Sequence, residues 1–140
     1  MPAQTVNAQR SSASDSSQTH DIARRELRRS RSVVLSYLLK LNKSINANHG
    51  DLVQAIAHRF NDVLVDYISY GHFRLLQECT VETHQLVAID KTTQQALRFS
   101  DKYTTRDEIA LGNLKQDLEA LAYALEVRFE IEDEVLTTAA

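Results

Sequence analysis

The chain has 140 residues, which fits one domain, and 43% of them are hydrophobic, which is enough for an apolar core. Its 3 Gly and 1 Pro are too few for an all-β protein, which needs a turn about every 8–12 residues. The net charge of −3 is unevenly spread: residues 1–50 hold 8 Lys and Arg against 3 Asp and Glu, whereas residues 51–140 hold 8 against 16, so different surfaces are suited to different partners.

The cysteine content and the hydropathy exclude two further classes. Cys79 is the only cysteine, so neither an internal disulfide nor a cysteine-based metal site can form, and we expect Cys79 to pack as a small buried hydrophobe. No apolar run approaches the roughly 18 residues of a membrane span, and the N-terminus lacks the apolar stretch of a signal peptide. We therefore expect a soluble, cytoplasmic protein that does not bind a membrane.

Residues 1–19 are rich in Ser, Gln, Ala and Thr and contain almost no large apolar side chains. Such a segment buries too little surface to offset the entropy lost on ordering. We predict a disordered N-terminal tail at 1–19, followed by a helical domain over residues 20–140.

The first helix is predicted from about Asp21, as N-cap, to Asn46. Apolar residues spaced three and four apart form one face of it: Val34, Tyr37, Leu38, Leu41 and Ile45. Its start is strongly basic, with Arg24, Arg25, Arg28, Arg29 and Arg31. These arginines form either a solvated basic face or a surface for a partner. Nucleic-acid binding is disfavoured, because the whole chain is acidic and the cluster has no interleaved aromatic residues.

A turn is predicted at residues 46–50, followed by a second helix capped by Asp51. Its apolar stripe comprises Leu52, Ile56, Phe60, Val63, Leu64, Tyr67 and Ile68. Gly71 interrupts this stripe and indicates a kink, a helix end or a close backbone approach. Helical character then resumes to about Cys79.

A third helix is predicted from Thr80, as cap, to about Tyr103, and its inward positions are Leu86, Ile89, Thr93, Ala96 and Leu97. The run Thr105-Arg106-Asp107-Glu108 has the pattern of a capping box and predicts the start of the last helix. The clearest apolar periodicity in the chain follows, at Leu111, Leu114, Leu118, Leu121, Leu125 and Phe129. Four such helices with short connections predict an all-α, antiparallel four-helix bundle in a single domain.

The sequence contains no recognisable catalytic or metal-binding motif. Glu-x-x-His pairs, which build di-iron sites in helical bundles, are absent, as are His-Glu-x-x-His, Gly-x-Ser-x-Gly and glycine-rich phosphate loops. We therefore expect a protein that is not an enzyme and that needs neither a metal nor another cofactor.

An acidic cluster closes the last helix: Glu126, Glu130, Glu132, Asp133 and Glu134. We interpret it as a charged surface. Like charges four residues apart destabilise a helix slightly. Two explanations remain open, a solvated face and a surface that meets a basic protein partner.

A polar and aromatic stripe lies on the second helix. Asp66, Ser69 and Phe73 are spaced at i, i+3 and i+7, which places them on one face, away from the core positions Leu64 and Ile68. An aromatic residue with polar neighbours is typical of a protein interface. The alternative is that Phe73 folds into the core after a kink at the neighbouring glycine.

Two motifs of this sequence resemble those of the Rsd/AlgQ family, the regulators of sigma D. Residues 64–73 reproduce the run Leu-Val-Asp-Tyr-x-Ser-x-Gly-His-Phe, and residues 128–133 reproduce Arg-Phe-x-x-Glu-Asp. The stretch 33–41, which contains Tyr37, is also similar to the first helix of the family. The resemblance extends over about residues 22–136.

This resemblance implies a non-enzymatic helical bundle that binds region 4 of the primary sigma factor and blocks its contacts with core RNA polymerase and promoter DNA. It also implies that Asp66, Ser69 and Phe73 contact the sigma factor, and it implies no direct binding of nucleic acid. Region 4 is basic, because it holds the helix-turn-helix that reads promoter DNA, and the acidic second half of this chain complements such a partner.

The chain departs from the family at two places. It has Arg24-Arg25-Glu26-Leu27 where members often carry Asp-Arg-Trp-Leu, and Leu76-Gln77 where they tend to carry Tyr-Glu. The alternative function is accordingly a helical adaptor of the same fold that binds a different sigma factor or another basic regulatory protein. An enzyme or a metal carrier of the hemerythrin type is a distant third.

Overall fold

The computed structural model describes residues 2–104 and 111–139, and it gives side-chain surroundings within residues 21–103 and 112–137. Over these residues the chain is helical, as predicted, with no strand. The helices are α1 (Pro2–Asn46), α2 (Gly50–Glu78), α3 (Thr83–Thr104) and α4 (Leu111–Ala139).

The four helices form an antiparallel bundle. Each helix packs against the next one in sequence, and α1 also packs against α4, whereas α1 and α3 lie on opposite corners without contact among the described residues. Arg24, midway along α1, bonds to the carbonyl of Leu136 late in α4, and Arg31, further along α1, bonds to that of Phe129, earlier in α4, so these two helices run in opposite directions. Lys102, at the end of α3, likewise meets Asp117 near the start of α4. The predicted fold class is confirmed.

The first helix begins at Pro2 and not near Asp21. No glycine or proline lies between residues 3 and 46, so the sequence offers no helix breaker at the predicted start. The arginines at 24–31 therefore lie well inside α1, where the dipole of the helix N-terminus no longer opposes them. The division of the chain into a tail at residues 1–19 and a domain at 20–140 stays a prediction.

The junction of α1 and α2 is a Schellman motif, in which two amides return to carbonyls of the last helical turn. Asn48 adopts a left-handed φ of 60°. Its N–H donates to the carbonyl of Ile45 at 3.0 Å, and the N–H of His49 donates to that of Ser44 at 3.3 Å. The predicted turn is confirmed, but Asp51 is not the cap of α2: His49 holds that position, without a side-chain bond, and Asp51 lies in the first turn.

The predicted cap of α3, Thr80, is wrong, because the helix begins at Thr83. The Gln85 side chain accepts a hydrogen bond from the Glu82 N–H at 3.0 Å, which is the returning half of a capping box. The N–H of Leu86 then donates to the carbonyl of Glu82 at 2.9 Å. The capping box predicted at residues 105–108 lies outside the described residues.

The predicted core position Leu111 lies outside the residues whose side chains are described; among the others, the core follows the predicted stripes closely, with two exceptions. Leu52 and Leu97 are exposed, although the periodicity placed both of them inward. Phe60 of α2 and Phe99 of α3 meet edge to face, with 5.7 Å between ring centroids. No helix among the described residues is both long and apolar enough to cross a membrane.

Candidate partner-binding site

The surroundings of Gly71 show why a glycine occupies this position. Helix α2 continues through it to Glu78, so Gly71 neither ends nor interrupts the helix. It is buried, and a Cβ placed there would lie 3.2 Å from Leu27 Cδ1 and 3.5 Å from Glu132 Oε2. Gly71 therefore accommodates the close approach of two side chains, and not of a backbone as the sequence pattern suggests. The suggestion that Phe73 folds into the core is wrong, since 57% of this residue is exposed.

A mostly apolar groove of about 750 Å³ lies between α1 and α2. The three residues of the predicted stripe, Asp66, Ser69 and Phe73, all line it. They are joined there by Val63, Tyr70 and four residues of α1, namely Glu26, Arg29, Ser30 and Val33. The groove thus combines an exposed aromatic ring and two valines with two carboxylates, which is a combination suited to recognising a protein surface.

A cluster of charged and aromatic side chains lies at one end of this groove. The Arg74 guanidinium donates to the Tyr70 hydroxyl at 2.7 Å and forms an ion pair with Glu78. It also lies 3.5 Å from a carboxylate oxygen of Glu26 on α1 and 5.2 Å from the Tyr70 ring. Because Glu26 and Tyr70 line the groove, Arg74 fixes the positions of two of its side chains.

A buried polar network lies on the opposite side of α2. Both Arg128 and Glu132 are 0% exposed. The Tyr67 hydroxyl donates to Glu132 Oε1 at 2.5 Å, Arg31 Nε donates to the same oxygen at 3.1 Å, and Arg128 Nε donates to Oε2 at 3.2 Å. A buried carboxylate is tolerated only when it is paired and hydrogen-bonded in this way.

Arg128 extends this network to α3. Its Nη1 donates to the Thr93 hydroxyl at 2.8 Å, to the Thr92 hydroxyl at 3.2 Å and to the carbonyl of Ile89 at 3.3 Å. All four helices therefore contribute to one set of hydrogen bonds. Burial and the adjacent Glu132 carboxylate raise the pKa of Tyr67, so its phenol remains a proton donor.

This network corrects the interpretation of the acidic cluster. Glu132 is not part of a charged surface, although Glu126, Glu130, Asp133 and Glu134 are exposed. The signal was present in the sequence: Glu132 lies four residues after Arg128 and seven after Leu125, on the apolar stripe of α4. A carboxylate and a guanidinium at i, i+4 on an apolar face indicate a buried ion pair.

The basic cluster of α1 divides into two groups. Arg24 donates to the carbonyl of Leu136 at 2.7 Å, and Arg31 pairs with Asp133 at 2.7 Å and donates to the carbonyl of Phe129 at 3.3 Å. These two arginines hold the end of α4 against α1. Arg25, Arg28 and Arg29 are exposed.

Neither Cys79 nor any cluster of potential metal ligands forms a further site among the described residues. Cys79 is partly buried against the core, and burial raises the pKa of its thiol. Within the described part of the chain, no group of three or more His, Cys, Asp or Glu side chains is arranged to hold a metal ion.

The family resemblance is supported by comparison with known proteins. The chain matches the family model described as "Regulator of RNA polymerase sigma(70) subunit, Rsd/AlgQ" over residues 6–140. A regulator of sigma D from Yersinia enterocolitica is 28% identical over 112 residues, which cover 70% of this chain and 67% of that protein.

Two further relatives carry the same name. One from Yersinia pseudotuberculosis is 31% identical over 108 residues, covering 66% of this chain and 63% of the relative. One from Pectobacterium carotovorum is 33% identical over 87 residues, covering 52% and 57%. The aligned part thus spans about two thirds or less of each relative's length. No solved structure matches the chain. Since the family model covers almost the whole chain, this protein belongs to the Rsd/AlgQ family of sigma factor regulators.

Proposed function

We propose that this chain binds region 4 of the primary sigma factor in the α1–α2 groove and thereby acts as an anti-sigma factor. Occupation of region 4 would keep it from core RNA polymerase and from promoter DNA. The observation that supports this most directly is the position of Asp66, Ser69 and Phe73. All three open into one groove, in a member of a family of sigma regulators.

The chemistry of the groove suits a basic, helical partner. The exposed ring of Phe73 lies beside Val33 and Val63 and offers an apolar anchor of the kind that dominates binding energy in protein interfaces. Asp66 supplies negative charge to the same groove, in which the Glu26 carboxylate is paired with Arg74 and Arg29 carries a positive charge. Complementary charge speeds the encounter with a basic domain and disfavours acidic partners.

Binding alone accounts for this function, so the proposal requires neither a catalytic group nor a cofactor. It places the protein in the cytoplasm, with RNA polymerase. It also requires no contact with nucleic acid, and two of the five clustered arginines, Arg24 and Arg31, are already bonded to α4.

One observation favours a second candidate, an adaptor of the same fold that binds a different sigma factor or another basic regulator. Glu26 lines the groove, and it occupies the position where family members often carry tryptophan. Exchange of an aromatic ring for a carboxylate inside the groove would change the preferred partner, because it replaces an apolar contact with a charged one.

A calorimetric titration distinguishes the two candidates. The full chain is titrated with isolated region 4 of the primary sigma factor and, in parallel, with region 4 of an alternative sigma factor. Saturable 1:1 binding that is tighter for the primary factor is the expected result. Tighter binding of the alternative factor would support the adaptor, and an absence of binding to both would refute the anti-sigma proposal.

A further inference from the structure

A second surface of the bundle lies on α1 and α4, beside the α1–α2 groove. On α1, the exposed side chains Arg25, Arg28, Ser32, Ser36, Leu39 and Lys43 follow at spacings of three and four. On α4, the exposed side chains Glu119, Tyr123, Glu126 and Glu130 do the same. Each set therefore occupies one strip of its helix. The strip on α1 carries only basic charge, and the strip on α4 carries only acidic charge.

An apolar pair lies toward one end of this two-helix face, one turn from Lys43 and Glu119. Tyr123 is 71% exposed and Leu39 is 59% exposed, which makes them, with Val87, the most exposed large hydrophobic side chains among the described residues. Exposed apolar side chains bordered by charged ones are typical of a protein interface.

The contacts between α1 and α4 set the register of the two strips. Arg24 bonds to the carbonyl of Leu136, and Arg31 bonds to that of Phe129, so a step of seven residues along α1 matches a step of seven back along α4. When this register is continued at about 1.5 Å per residue, Leu39 falls within a turn of Tyr123 and Lys43 falls within a turn of Glu119.

We propose that this face associates with the same face of a second copy of the chain. A two-fold axis parallel to the helices would place α1 of one copy over α4 of the other. Each residue would keep its position along the helix axis. Lys43 would then face the partner's Glu119, and Leu39 would meet the partner's Tyr123. The symmetry repeats each contact, so the interface is isologous and closed. An axis across the helices would instead set like charges together.

This inference goes beyond the proposed function, because the dimer face uses exposed residues of α1 and α4 and none of the residues that line the α1–α2 groove. Dimerisation and sigma binding can therefore fail independently, and separate measurements report on them.

Sedimentation equilibrium of the full chain tests the proposal. We expect a monomer–dimer equilibrium that shifts to monomer as salt rises, since its rim contacts are ionic. Lys43→Glu and Glu119→Lys should each raise the dimer dissociation constant roughly tenfold or more, because each change places like charges opposite each other twice. Lys91→Glu, an exposed charge reversal on α3, is the matched control and should leave association unchanged.

A mixing experiment separates contacts between copies from contacts within one copy. In a mixture of Lys43→Glu and Glu119→Lys, the reversed glutamate of one chain faces the reversed lysine of the other, and the remaining native pair is attractive. We expect the mixture to form a heterodimer, although each variant alone is mainly monomeric. Melting curves check that both variants are folded. A wild-type protein that stays monomeric at all concentrations, or a mixture that does not associate, would overturn the proposal.

Discussion

The Tyr67 hydroxyl lies 2.5 Å from Glu132 Oε1 and joins two segments that are 65 residues apart in sequence. Each of the two family motifs contributes one of these residues. The side chains of the first motif face two different surroundings. Tyr67 and Gly71 face the buried network, whereas Asp66, Ser69 and Phe73 face the groove. The network thus supports the helix that presents the proposed binding residues.

Replacement of Tyr67 by phenylalanine tests the value of this hydrogen bond. Tyr67→Phe keeps the ring but leaves the buried carboxylate without one donor, so we expect a loss of about 1.5–3 kcal/mol in the free energy of unfolding. Urea denaturation gives this quantity. Tyr123→Phe removes the same hydroxyl from an exposed ring and should leave stability unchanged. Equal effects of the two changes would contradict the importance of the network.

The buried pair of Arg128 and Glu132 makes a second, separate prediction. Glu132→Leu removes the carboxylate to which the guanidinium groups of Arg31 and Arg128 are bonded. We expect it to lower the free energy of unfolding by about 3–5 kcal/mol. Arg128→Met should also destabilise the fold. The double variant replaces the pair by apolar side chains. It should therefore lower the free energy of unfolding by clearly less than the sum of the two single effects. Strict additivity in a double-mutant cycle would show that the two charges do not interact.

Gly71 should tolerate one methyl group but not a branched side chain. Gly71→Ala requires Leu27 to move by a few tenths of an ångström, and this cost is offset by the higher helix propensity of alanine, about 0.5–1 kcal/mol. We expect a nearly neutral change. Gly71→Val directs a second methyl group at the packed side chains of Leu27 and Glu132 and should cost about 1–3 kcal/mol or more.

Gly112 provides the control for this pair of substitutions, because a Cβ there would meet nothing within 4 Å. Gly112→Ala and Gly112→Val should therefore be neutral or mildly stabilising. If valine were tolerated equally at both glycines, the close packing at Gly71 would not limit the stability of the protein. Thermal melts of the four variants make the comparison directly.

Apolar periodicity was sufficient to predict the fold class, the stripe on α2 and the core positions of α4. It failed where a local pattern has more than one structural outcome. The acidic run predicts a surface position for Glu132, although Arg128, four residues earlier on the same apolar face, indicates burial. The bonds from Tyr67 and Arg31, 65 and 101 residues away, are not visible in a local pattern. The cap of α3 is misplaced for a related reason: Thr80 suits an N-cap, but the helix begins at Thr83, where the Gln85 side chain bonds to the Glu82 N–H. For Gly71, the sequence pattern predicts a kink, a helix end or a close backbone approach, whereas the structure shows the side chains of Leu27 and Glu132 packed close to it.

Asp117 gives a prediction for acid conditions. The Lys102 ammonium, at 2.6 Å, and the Tyr103 hydroxyl hold the pKa of this carboxyl below its ordinary value of 3.8. The folded protein therefore binds this proton more weakly than the unfolded chain does. The stabilisation is present above pH 3.8 and is lost as the pH falls through the lowered pKa.

Asp117→Asn should consequently lower the urea midpoint at pH 7, and the difference from the wild type should shrink below pH 3.8. Because the ion pair is partly exposed, high salt should also reduce this difference. Unfolding curves at pH 7 and under acid, each at two salt concentrations, provide the measurement. A difference that stays constant down to the lowest pH would assign the effect to packing and not to charge.

The last prediction concerns the groove and rests on the proposed function. Phe73→Ala should weaken binding of sigma region 4 by about 2 kcal/mol or more, as exposed aromatic anchors of interfaces often do. It should barely change the melting midpoint, because Phe73 is 57% exposed and its removal leaves no core cavity. Val87→Ala, which truncates a similarly exposed side chain on α3, is the matched control and should leave both quantities unchanged.

Asp66→Ala separates the electrostatic part of the same interface from the apolar part. It should slow association with region 4 and reduce the dependence of association on salt, because it removes a carboxylate that faces a basic domain. Asp90→Ala, an exposed carboxylate on α3, provides the comparison. Stopped-flow association rates at several salt concentrations measure the effect. If Asp66→Ala and Asp90→Ala changed the rate equally, the net charge of the molecule would account for the steering, and the groove would have no special part in it.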